Sequence, residues 1–124
     1  MSDLLYDPAT GLMTPFHFYE SVKRIRSWAD RREQPLALIY ISLIGREEDV
    51  IVSCARSLLS ELRGGDLLCR MGKESFVLLM LGDKVAAGHL IFRLENVIKP
   101  RLKYNSLEVS KKDELVHALS ALGV

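Results

Sequence analysis

The chain has 124 residues, 17 Lys+Arg against 16 Asp+Glu, a formal net charge of +1, 48% apolar residues and 27% charged ones. That length suits one domain burying roughly two-thirds of its unfolded surface, and the near-neutral balance excludes a broad positive field that would collect nucleic acid non-specifically. No apolar run approaches the ~18–20 residues of a membrane span, and the opening Met1-Ser2-Asp3-Leu4-Leu5-Tyr6-Asp7 lacks the charged-then-apolar form of a signal peptide. The expectation is a cytoplasmic protein without membrane insertion or a nucleic-acid partner.

Thr14-Pro15 reads as an N-cap followed by proline at the first helical position. Phe18, Tyr19, Val22, Ile25 and Trp28 then recur at helical spacing and predict an amphipathic helix to about Arg32. Arg24, Arg26, Arg31 and Arg32 crowd its second half, where cations favour the helix dipole and a solvated face explains them. After Pro35, the continuous run Leu36 to Ile44 reads as a buried strand, broken by Gly45.

Glu47, Glu48 and Asp49 place acid in the first turn of a second helix, whose apolar stripe is Ile51, Cys54, Ala55, Leu58, Leu59 and Leu62. Arg63-Gly64-Gly65-Asp66 is expected to end it with a glycine stop. Strands Leu67 to Met71 and Ser75 to Leu81 follow, close enough to form an antiparallel hairpin. Asp83 is an N-cap for a helix from about Lys84 to Lys99 that buries Ala87, Leu90, Ile91, Leu94, Val97 and Ile98, stopped by Pro100. Leu102 to Val109 supplies a fourth strand, and Ser110 with Asp113 and Glu114 starts a last helix to about Leu122.

Setting aside the first and last helices, the order is strand, helix, hairpin, helix, strand. This is the split βαβ arrangement of an α+β, ferredoxin-like βαββαβ core with flanking N- and C-terminal helices. Right-handed crossovers put both core helices on one face of the sheet. Cys54 and Cys69 sit among aliphatics and read as reduced core residues. No Cys-x-x-Cys occurs, and His17, His89 and His117 lack ligand spacing, so no metal site is expected.

The hairpin region is the specific part of the sequence. Arg63-Gly64-Gly65-Asp66, three residues, Arg70-Met71 and then Gly72-Lys73-Glu74-Ser75-Phe76 resembles GGDEF domains, the diguanylate cyclase family. The family pattern there is Arg-x-x-Asp, three residues, Arg-x-Gly-Gly-Asp/Glu-Glu-Phe and an apolar strand. Gly72, Glu74 and Phe76 keep the signature, whereas Lys73 replaces its second glycine and Ser75 its fourth-position Glu. Upstream, Asp7-Pro8-Ala9-Thr10-Gly11-Leu12 through Phe18 is similar to the family's opening Asp-x-Leu-Thr-Gly-Leu-x-Asn-Arg-x-x-Phe, with Thr14 and Pro15 in place of Asn-Arg. The resemblance covers residues 7 to about 98, and the chain is read whole as one degenerate GGDEF domain, shortened in its substrate-binding segment and at its C-terminus.

The resemblance implies loss of catalysis. Family members condense two GTP molecules, with metal-binding Asp residues on the first strand, where this chain has Tyr40 and Ser42. Tyrosine and a neutral hydroxyl are poor substitutes for carboxylate at Mg²⁺. The family segment that grips phosphate and guanine is deleted, since only Leu43-Ile44-Gly45-Arg46 precedes Glu47. Glu74 alone is a poor metal site, and Lys73 either attracts phosphate or is a solvated turn residue beside Glu74. No cofactor and no Mg²⁺ are expected.

The resemblance also implies a surviving site. In this family Arg-x-x-Asp upstream of the signature is the allosteric site for the product, cyclic di-GMP. Arginine's planar fork suits guanine O6 and N7, and aspartate can accept from the N1–H and N2 donors of guanine. Gly64 and Gly65 allow the tight turn that brings Arg63 and Asp66 together. The family's secondary arginine falls on the helix after the hairpin, within one residue of Arg93, and Arg70 is a flanking member of the set. The spacing itself is unspecific, because Arg46…Asp49 repeats it at a helix start; the register to the hairpin carries the inference.

The expected function is a non-catalytic cyclic di-GMP receptor, with a ligand-bridged homodimer or another signalling domain as partner. The other reading is a dimerisation or interaction scaffold without a ligand, whose sign would be Arg63 and Asp66 locked to each other and withdrawn from solvent.

Overall fold

The apolar run after Pro35 becomes an inner strand of a four-stranded antiparallel sheet. A computed structural model describes residues 2–109 and 115–122. In chain order the elements are α1 (Ser2–Leu5), α2 (Pro15–Arg32), β1 (Leu36–Ser42), α3 (Glu48–Ser60), β2 (Leu67–Gly72), β3 (Ser75–Leu81), α4 (Lys84–Val97), β4 (Lys103–Val109) and α5 (Leu115–Leu122). The strand order is β2-β3-β1-β4, and each neighbouring pair is antiparallel, as the ferredoxin-like reading requires.

The strands alternate between two apolar layers. Ala37, Ile39, Ile41, Leu68, Phe76, Leu78 and Met80 join a cluster with Ile51, Cys54, Ala55 and Leu58 of α3 and Ala87, Leu90 and Leu94 of α4. The intervening Leu36, Leu38, Cys69, Val77 and Leu79 join Phe18, Val22 and Ala29 of α2 with Ala118 and Leu119 of α5. The flanking helices therefore cover the face opposite α3 and α4, which is why β1 shows no polar alternation.

Local chemistry sets the helix starts. The Thr14 hydroxyl accepts the His17 N–H at 3.3 Å with Pro15 opening α2, and the Asp83 carboxylate accepts the Ala86 N–H at 2.9 Å at the start of α4.

Several expectations change. α3 ends at Ser60 with Glu61 as C-cap, so Gly64 and Gly65 belong to a separate turn rather than a helix stop. α4 ends at Val97, which is half exposed, while Ile98 beyond the helix is buried. Leu59 and Trp28 are exposed, and the Arg32 guanidinium lies 5.0 Å from the Trp28 ring, giving that end of the arginine run an aromatic partner. The predicted α5 start at Ser110, Asp113 and Glu114 lies outside the described residues. Cys54 and Cys69 are free and buried in opposite layers, and burial pushes the Cys69 thiol up to about 12. Among the described residues no helix is long and apolar enough to cross a membrane.

Ile39 is wholly buried in β1 between Leu78 and Ser106. Ile39→Ala is expected to lower stability in urea unfolding by about 2–5 kcal/mol, while Ile44→Ala at a 73% exposed position should stay within about 0.5 kcal/mol.

Candidate ligand-binding site

The register places the two motifs at opposite ends of the sheet. Leu36 pairs with Leu81 at one end of the β1–β3 ladder and Ser42 with Ser75 at the other, separated by ~20 Å at ~3.3 Å per residue. The Arg63–Asp66 turn leads into β2 at the Leu81 end, whereas Gly72 to Phe76 lies at the Ser75 end.

Asp66 holds its own turn closed. Its backbone N–H donates to the Arg63 carbonyl at 3.1 Å, and its carboxylate accepts the Arg63 N–H at 3.0 Å. The other carboxylate oxygen accepts the Leu81 N–H at 3.4 Å, tying the turn to the end of β3. Gly65 supplies φ of 97°, a conformation that glycine adopts without steric cost. The exposed Arg63 side chain makes no hydrogen bond or ion pair among the described residues. Arg63 and Asp66 are thus joined through backbone, not through a salt bridge, and the guanidinium fork is available.

Both residues line a cavity of about 260 Å³ together with Arg93 and His89 of α4; Met80, Leu81, Ala86 and Leu90 form its apolar lining. The sequence-predicted trio of Arg63, Asp66 and Arg93 is brought together. Arg93 is anchored: its Nε donates to Glu61 Oε1 at 3.1 Å and its Nη2 to the Glu61 carbonyl at 2.8 Å. Glu61 and His89 were not singled out from sequence. His89 stands one helical turn before Arg93, a spacing that puts both on one face of α4, and that was the available signal.

Arg70 is not part of this cavity. It sits toward the far end of β2, opposite Phe76, where its side chain is 9% exposed. Its guanidinium donates to Asp7 at 3.1 Å, to Glu48 at 2.6 Å and to the Lys73 carbonyl at 2.9 Å. Arg70 therefore ties the opening motif, the start of α3 and the hairpin turn together. Burial raises the Asp7 carboxyl, but hydrogen bonds from Thr10 and Arg70 outweigh it and hold Asp7 below the usual carboxylate range.

The signature residues serve the same end. Gly72 pairs with Ser75 after a register shift in β2, leaving Lys73 exposed and Glu74 half-buried in the turn. The Glu74 carboxylate accepts the Gly45 N–H at 2.6 Å, its carbonyl accepts the Leu43 N–H at 2.9 Å, and Phe76 is fully buried. Gly45 has φ of 79°. The short loop after β1 is thus clasped to the hairpin. No group of three or more His, Cys, Asp or Glu that could hold a metal occurs among the described residues.

Order, sheet topology and helix placement define a GGDEF-like fold of the nucleotide cyclase type. The diguanylate cyclase SiaD of Pseudomonas aeruginosa, solved with its activator SiaC, has a TM-score of 0.86 at 20% identity, over 95% of this chain and 55% of that one. A sensory box/GGDEF family protein from Caulobacter crescentus gives 0.81 at 19% identity, over 94% of this chain and 90% of that one. The GGDEF domain of DgcB from Caulobacter crescentus, in complex with c-di-GMP, gives 0.82 at 11% identity over 95% and 85%. The chain spans about half the length of the SiaD chain. No protein-family model and no curated protein matches the sequence.

Arg70→Ala is expected to cost about 1.5–3 kcal/mol in denaturant unfolding, because it removes charge-assisted hydrogen bonds and leaves two carboxylates facing each other. Asp7 is held below its ordinary value. Its contribution is therefore complete above the usual carboxylate range and disappears as pH falls through the folded-state value. Asp7→Asn should lower stability at neutral pH and flatten the acid limb of the stability profile, measured by thermal melts across pH.

Proposed function

We propose that the chain is a non-catalytic receptor for cyclic di-GMP, bound at the Arg63–Asp66 turn. The observation that carries this reading is the unpartnered, exposed Arg63 guanidinium beside an Asp66 carboxylate fixed by backbone N–H groups. A preorganised acceptor and a free planar donor fork match the two edges of guanine. Only part of the Asp66 acceptor capacity is used by the two backbone bonds, so the N1–H and N2 donors of a base still find lone pairs. DgcB, whose GGDEF domain was solved with c-di-GMP, shares the fold, which makes this ligand the natural one to try.

The cavity lies just below the roughly 300–1,000 Å³ of sites that enclose a small molecule. It takes part of a cyclic dinucleotide and leaves the remainder exposed, which favours a second copy of the domain, or another signalling domain, closing over the ligand. Binding would then shift assembly in proportion to the difference in affinity between the two states.

The opposite end argues against catalysis. The residues present do not suit Mg²⁺: Tyr40 and Ser42 stand where the resembling family has carboxylates, and Glu74 is engaged by the Gly45 N–H. The segment between β1 and α3 is too short to wrap a triphosphate.

Calorimetric titration with cyclic di-GMP is expected to give saturable binding that Arg63→Ala weakens by about 1–3 kcal/mol, the worth of a bidentate guanine contact. Absence of heat and of a thermal shift at tens of micromolar ligand would leave a ligand-free interaction scaffold as the reading. Incubation with GTP and Mg²⁺ should yield no cyclic di-GMP; its formation would overturn the non-catalytic assignment.

A further inference from the structure

We infer that His89 is a further ligand-contacting residue of this pocket, serving the phosphodiester of the bound dinucleotide; the inference rests on the reading of the Arg63–Asp66 site given above. His89 lines the same cavity as Arg63, Asp66 and Arg93. It is exposed on α4, one turn before Arg93. Its imidazole makes no hydrogen bond, ion pair or ring contact among the described residues. Both ring nitrogens are therefore free to serve a ligand.

The charge balance of the pocket gives the imidazole a task. From the turn before β2 the charged groups are Arg63 and Asp66; from α4, Arg93; and at the α3 end, Glu61. Met80 and Leu81 of β3 add none. Glu61 offsets Arg93 at 3.1 Å and occupies two of its nitrogens, while the Arg63 fork is committed to the guanine edge in the proposed pose. Asp66 adds a negative charge close to that base. A phosphodiester brought into this pocket finds one donor edge of Arg93 and the His89 ring as its remaining polar partners on this domain.

An imidazole donates from both nitrogens only when protonated. It is the side chain whose charge changes between about pH 5 and 8, whereas guanidinium groups stay charged throughout. Contact with a phosphodiester favours the protonated ring, so binding takes up a proton and affinity increases as pH falls.

The test is titration of the full chain with cyclic di-GMP near pH 5.5 and near pH 8. The wild type, His89→Gln, His17→Gln and Arg63→Ala are compared, with folding of each checked by its thermal melt. The wild type should bind about tenfold more tightly at the lower pH, one decade being one pKa unit of linkage. His89→Gln should bind with the weaker affinity at both pH values. His17→Gln, altered on α2 where His17 packs against Tyr6, should keep the wild-type response. Binding that depends on Arg63 but is equally tight at both pH values, or a pH response that survives in His89→Gln, overturns the role of His89 and leaves the receptor reading standing. No wild-type binding, or binding indifferent to Arg63→Ala, overturns the pocket itself and this inference with it.

Discussion

Everything in this protein is positioned by the antiparallel ladder that β1 makes with β3, from Leu36 opposite Leu81 to Ser42 opposite Ser75. β1 is paired on both edges and buried in both layers, so a one-residue slip would invert two cores at once. That constraint fixes which end of the sheet each motif occupies. It puts the Arg63–Asp66 turn, the end of β3 and the exposed face of α4 beside one another. The signature hairpin, the short loop after β1 and the start of α3 are held at the other end.

The two ends differ in how their polar groups are satisfied. At the signature end, carboxylates and donors find each other: Glu74 takes the Gly45 N–H, and Arg70 bridges Asp7, Glu48 and the Lys73 carbonyl. Among the buried side-chain nitrogens and oxygens of the described residues, only Arg70 Nε lacks a partner. At the Arg63 end, Asp66 is fixed by backbone while the Arg63 guanidinium has no partner among the described residues. A polar site closed on itself stabilises a fold, and one left with an aimed acceptor and a free fork is prepared for a ligand. The proposed function follows from this contrast more than from either motif alone.

Much of the architecture was legible because its signals are local. Thr14-Pro15 and Asp83 cap helices by short-range hydrogen bonds, and the uninterrupted apolar run of β1 announces burial on two faces. The trio Arg63, Asp66 and Arg93 was legible through register to the hairpin. What escaped depends on tertiary geometry. The end of α3 at Ser60 is hard to read because glycines four and five residues on look like a stop, although they serve the turn that Asp66 closes. Arg70 was grouped with the ligand set because sequence proximity hides the length of a strand: a few residues of β2 carry it toward the other end of the sheet. Glu61 acquires meaning only once the end of α3 meets Arg93 of α4, and the one-turn spacing of His89 from Arg93 points to a site only once the Arg63–Asp66 turn and the end of β3 lie beside that face.

The central claim is that ligand enters at the Arg63–Asp66 end and not at the signature end. An amide-resolved NMR titration with cyclic di-GMP reads this directly, because the Arg63 and Leu81 N–H groups both donate to the Asp66 carboxylate, while the Gly45 N–H donates to Glu74 at the other end. The account predicts perturbations centred on Arg63, Asp66, Leu81 and the His89–Arg93 face of α4, with Gly45 and Gly72 to Ser75 unmoved. Perturbations centred on Gly45 and the Gly72–Ser75 hairpin, or none at saturating ligand, would contradict it.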